Sequence, residues 1–166
     1  MPEDPGPPDY KNSRPLDVHR WSEHPAIRGV TERVFDVIAA EIPQRANRDD
    51  HKKHLRVLVL DLYHRHIEDP DGWIGVSLNR NDYSGPRRYN KLFLSFRPIN
   101  RVIGLLRGHG FIDWVRGFHD RQRGVGYISR MRASDRLRAL FRELHENVGV
   151  APFNELIQED IASENE

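Results

Sequence analysis

The sequence predicts a mainly α-helical domain that carries a small antiparallel β-hairpin, an α+β fold. Three observations predict it. Apolar residues recur at helical spacing in four stretches, two short β-rich stretches flank a polar tip near the C-terminal side, and the composition suits one modest core. Of the 166 residues, 37% are apolar and 31% charged, too apolar for a disordered chain and polar enough for extensions at both ends. No apolar run approaches the ~18 residues of a membrane span. The acidic, Pro-rich start lacks the order of a signal peptide, so a cytoplasmic location is expected. The chain has no cysteine, which excludes a disulfide framework, a thiolate zinc site, an iron–sulfur cluster and a Cys nucleophile.

Residues 1–26 read as a flexible arm. Pro2, Pro5, Pro7, Pro8, Pro15 and Pro25 fall there without a sustained apolar period, and Trp21 is placed to pin its end to the body. Residues 27–150 form the domain, and residues 151–166 an acidic tail whose Phe153, Leu156 and Ile157 suit weak docking.

Within the domain, Val30, Val34, Ile38 and Ile42 form one stripe, which predicts a helix over 31–42 with Thr31 as cap and Pro43 as stop. Leu55, Leu58, Val59, Leu62 and Tyr63 share a face, widened by Val57 and Leu60. They predict a central helix over 50–67, capped by Asp49 or Asp50 and closed by the turn Asp69-Pro70-Asp71-Gly72. A short strand is expected over 73–78. A loop over 83–91 follows, holding Arg87, Arg88, Tyr89 and Lys91.

Ser95 is expected to cap a helix over 95–108, with Pro98 tolerated in its first turn. Ile99, Val102, Ile103 and Leu106 face inward, and Gly108-His109-Gly110 ends the helix. Strands are expected at 111–116 and 125–130, around a polar tip at 117–124. Ser134 then caps a last helix through Leu137, Leu140, Phe141 and Leu144.

The net charge of +1 conceals an uneven distribution. Residues 1–50 carry −3, residues 51–150 carry +9, and residues 151–166 carry −5. Residues 79–132 alone hold 12 basic and 3 acidic side chains. A basic centre between acidic ends suits a polyanion partner. Arginine supplies 22 of the 26 basic residues, and its planar fork suits phosphate and guanine.

The order of elements resembles the winged-helix variant of the helix-turn-helix domain found in bacterial DNA-binding proteins. The resemblance rests on residues 92–140. The phrase Leu105-Leu106-Arg107-Gly108-His109-Gly110-Phe111-Ile112 is similar to the exit of recognition helices in bacterial winged-helix regulators. Asp120-Arg121-Gln122-Arg123 resembles the Asp/Arg wing of the multiple-antibiotic-resistance regulator type. The stretch Ile128-Ser129-Arg130-Met131-Arg132-Ala133-Ser134 resembles the returning wing strand and the start of the next helix. The longer basic loop over 79–91 and the Pro-rich arm depart from the drug-responsive pattern. Plasmid replication initiators are built on winged helices too and stand as the alternative.

The resemblance implies double-stranded DNA as partner, cytoplasmic and nucleoid-associated, with a homodimer through 31–42 or 136–157 reading two half-sites. On 95–108 the polar positions are Ser95, Arg97, Asn100, Arg101 and Arg107. Arg pairs bidentately with guanine and Asn with adenine. His119, Arg121 and Arg123 occupy the wing, where Arg suits a narrow minor groove. Arg87, Arg88, Tyr89 and Lys91 are placed to grip phosphates and set register. A protein-interaction module on the same fold is a further alternative.

Other chemistries find little in the residues. His51 and His54 stand three apart, a usable ligand spacing, but no Cys and no His-Glu-x-x-His pattern accompanies them. They read as solvated helix residues, and no metal is expected. There is no Gly-x-Gly-x-x-Gly and no Walker-type loop, so no cofactor and no enzymatic activity are expected.

Overall fold

The computed structural model describes residues 10–11, 24–76, 94–120, 122–127 and 129–148. The described part is mainly helical with a small sheet. Its elements are β1 (Tyr10–Lys11), α1 (Pro25–Ile38), α2 (Arg48–Glu68), β2 (Trp73–Val76), α3 (Phe96–Gly108), β3 (Ile112–Val115), β4 (Phe118–Asp120), β5 (Val125–Tyr127), β6 (Ser129–Ala133) and α4 (Asp135–Val148).

The first helix begins six residues earlier than the expected 31. Pro25 occupies its first turn, where no amide donor is needed, and His24 Nδ1 accepts from the Ala26 N–H at 3.2 Å. Thr31 is therefore interior rather than a cap, its hydroxyl donating to Ile27 O at 2.7 Å. The helix ends at Ile38 and tightens into a 3₁₀ turn over Ala39–Glu41 before Pro43. Helix α2 is capped by Asn47, whose side chain accepts from the Asp50 N–H at 3.0 Å, so neither Asp49 nor Asp50 is the cap.

Helix α2 runs through the middle of the core. Leu55, Val57, Leu58, Val59, Leu60, Leu62 and Tyr63 are all buried on it, consistent with contacts from several sides. The stripes of α1 and α3 close on it from either side, together with Leu137 and Phe141 of α4. Tyr63 meets Phe141 edge to face at 4.8 Å.

The sheet order is β1-β2-β6-β3. Strand β2, which precedes α3 in the chain, pairs antiparallel with β6, and β6 pairs antiparallel with β3. Residues 10–11, expected to be irregular within the arm, instead pair in parallel with Trp73 and Ile74 at the sheet edge. Pro25 and Ala26 likewise belong to α1 rather than to the arm. A free sheet edge offers unpaired backbone groups to any passing segment, which lets a Pro-rich stretch add a strand without an apolar pattern of its own.

The hairpin is longer than expected. Ile112 opposes Ala133, Val115 opposes Arg130, Phe118 opposes Tyr127 and Asp120 opposes Val125, so one register carries through from sheet to tip. Between the two sets of pairs the Gly117 N–H donates to Ser129 Oγ at 2.9 Å. Residues 118–120, expected in the polar tip, are strand, and the described turn residues are 122–124, with Gly124 in the left-handed region at φ 64°. Beyond the reach of β2 the two-stranded ribbon projects by about 15 Å, at ~3.4 Å per residue.

Candidate nucleic-acid interface

Helix α3 is amphipathic in a strict sense. Ile99, Val102, Ile103 and Leu106 are buried. Arg97, Asn100, Arg101, Gly104, Arg107 and Gly108 are exposed at spacings of three and four, so they share one face. That face carries no acidic residue. A Cβ added at Gly104 or Gly108 meets nothing within 4 Å, so neither glycine serves internal packing. The helix is about 20 Å long at 1.5 Å per residue, and its exposed side is cationic, with open space above both glycines.

Both ends of α3 are held firmly. At the C-terminal end Gly110 takes φ 73°, its N–H donates to Arg107 O at 3.1 Å, and the Phe111 N–H donates to Leu106 O at 2.9 Å. This is a Schellman closure, with Phe111 buried beneath it. It turns the chain directly into β3. Ser134, at the head of α4, reinforces the corner by donating its hydroxyl to Gly110 O at 2.6 Å. Arg107 lies over the Trp114 ring at 4.8 Å, joining the end of the helix to the first strand of the ribbon.

At the N-terminal end Ser95 sits in the cap position with extended backbone, but its side chain makes no capping bond. Its backbone N–H instead donates to Nε2 of His54, on α2, at 2.8 Å. His54 Nδ1 is 2.6 Å from Asp50 O, so Nδ1 carries the proton and the ring is neutral. Burial holds its pKa below the ordinary value, against the opposing pull of the Asp50 carbonyl and carboxylate. One turn back, His51 Nδ1 is 2.7 Å from Asn47 O, and His51 Nε2 is 3.0 Å from Arg101 Nη1.

These histidines are not the solvated residues that their spacing suggested. His51 is 3% exposed and His54 0%, because the start of α3 closes over them. No charge pattern or motif announces this role. The only sequence signal is their placement at i and i+3 on the helix that also carries the core stripe.

Of the expected contact residues, Arg97, Asn100 and Arg101 lie together on the exposed face of α3, with Ser95 at its head. Arg123 is exposed at the ribbon turn. His119 lies on strand β4 rather than in the turn. Arg87, Arg88, Tyr89, Lys91 and Arg121 fall outside the described residues, as do Trp21 and the tail 151–166. Among the described residues no group of His, Asp and Glu is arranged to hold a metal ion, and no helix is long and apolar enough to cross a membrane.

The chain matches no family model, no curated protein and no solved structure.

Proposed function

We propose that this chain is a winged-helix protein that binds double-stranded DNA sequence-specifically, acting as a bacterial transcriptional regulator. Helix α3, with Ser95 at its head, enters the major groove, which admits one α-helix. The ribbon tip at 117–124 lies on the minor groove or backbone, and the loop 83–91 grips phosphates.

The observation that carries this reading is the exposed face of α3. Three arginines and an asparagine share one surface with two glycines and no carboxylate, on a helix anchored at both ends. An ordinary solvated helix face mixes charge signs and favours good helix formers over glycine. This one is cationic and flat, as close approach to a polyanion requires. The order strand, helix, strand, ribbon, strand, with β6 between β2 and β3, supports the winged-helix reading.

The test is binding of the purified chain to random duplex DNA at two salt concentrations, followed by selection of sequences from that pool. Salt-sensitive binding that enriches a motif is expected. Absence of binding even at low salt refutes the reading and leaves a protein-interaction module. Arg101→Ala relaxes base preference. Arg88→Ala or Arg121→Ala weakens all sequences alike and lowers the salt slope by about one.

A further inference from the structure

We propose that His51 is a positioning residue for base readout, holding the Arg101 guanidinium in the orientation that reads guanine. The inference rests on the DNA-binding reading above and adds a residue that never touches the DNA.

The bonding roles follow from the partners. Asn47 O can only accept, so Nδ1 of His51, 2.7 Å away, is the ring nitrogen that donates. Its Nε2 then presents a lone pair, and the guanidinium, which can only donate, places Nη1 3.0 Å from it. A buried, singly determined acceptor thus meets the head of an exposed arginine. The imidazole itself is fixed by α2, since Asn47 is the cap of that helix and its carbonyl also accepts the His51 N–H at 3.1 Å.

An unsupported Arg on a helix surface samples many rotamers and must be ordered when it meets a base. Here one N–H of Nη1 is engaged from behind, which leaves the Nε–Nη2 edge. That edge supplies two parallel donors, the pattern that guanine O6 and N7 accept in the major groove. Orientation is therefore established before DNA arrives. The partner group is a guanine at the one position read by Arg101.

The experiment uses the full chain and two duplexes, the selected site and the same site with that guanine replaced. Arg101→Ala identifies the position. The wild type prefers the guanine duplex. His51→Ala lowers that preference about two- to tenfold, the scale of ordering one long side chain on binding, and leaves binding to the replaced duplex unchanged. His51→Gln restores the preference, because its amide oxygen reaches the place of Nε2 while the side chain keeps its acceptor. A purely structural role for His51 weakens both duplexes equally, and that result overturns the proposal. So does a His51→Ala chain that keeps the full preference Arg101→Ala loses. A wild-type chain that binds neither duplex overturns the DNA reading, and the role of His51 with it.

A second measurement needs no His51 variant and no DNA. At mildly alkaline pH the imidazole ¹⁵N resonances of His51 show the proton on Nδ1, and the Nε2 resonance moves on Arg101→Ala. A proton on Nε2, or an Nε2 signal indifferent to Arg101, overturns the pairing.

Discussion

Replacing His54 by Phe tests the joint between α2 and α3. The side chain is fully buried, and its Nε2 accepts the Ser95 N–H at 2.8 Å at the point where α3 begins. Phe fills a similar volume, so no cavity term enters. What is lost is an acceptor and a donor: the Ser95 N–H loses the Nε2 lone pair, and the Asp50 carbonyl loses its second donor, the Nδ1–H. Ser95 itself is exposed, so the stranded N–H can turn to water and the loss is that of one ordinary hydrogen bond, about 0.5–1.5 kcal/mol, or roughly 2–6 °C in Tm for a domain of this size.

Acidification gives a sharper form of the same test. Burial lowers the folded pKa of His54 from the reference 6.5, so below that value the unfolded chain binds the proton more readily than the folded one. The His54 contribution is fully present above about pH 7 and fades as pH falls from ~6.5 toward the lowered folded value. His24 and His66 are lowered in the same direction, also first by burial, so the wild-type curve alone does not isolate His54. The difference between wild type and His54→Phe does. Urea unfolding followed by tryptophan fluorescence across pH 5–8 should show the gap largest above neutrality and shrinking by up to ~1.4 kcal/mol per pH unit on acidification. A variant as stable as the wild type at neutral pH, or a gap that stays constant with pH, refutes the bonding assigned to His54.

Other outcomes follow from the same geometry. Gly104→Ala should raise stability by about 0.5–1 kcal/mol in thermal unfolding, since the new methyl meets open space and helix propensity improves. Gly104→Leu should keep the fold yet weaken binding to every duplex by at least about tenfold, because its bulk stands on the face that enters the groove; unchanged binding removes α3 from the interface. Gly72→Ala should cost about 1–3 kcal/mol in denaturant unfolding, since its Cβ collides with the Arg65 guanidinium, which donates from Nε to Trp73 O at 3.2 Å and pairs with Glu68. Gly110→Ala should destabilise by about 1 kcal/mol, because φ 73° puts a Cβ against the next carbonyl.

Which residues turn inward is written in the order of the chain. Burial of Ile99, Val102, Ile103 and Leu106, of the α2 stripe, and of Val30, Val34 and Ile38 follows from period alone, because hydrophobic burial and helical spacing act over neighbouring residues; Ile42 is buried too, but in extended backbone beyond the end of the helix. The same spacing placed Arg97, Asn100 and Arg101 together on the opposite face. Other features depend on partners far apart in the chain. His54 meets Ser95 across 41 positions, and His51 meets Arg101 across 50. A histidine among lysines on a helix looks solvated until a second helix closes over it. The ribbon grew into residues 118–120 because their pairing is set by the register running up from Ile112 and Ala133, not by any apolar alternation of their own. Residues 10–11 became a strand for a related reason: β2 offers them an edge. Local propensity is written along the chain, whereas hydrogen-bond satisfaction is settled only when separate segments meet.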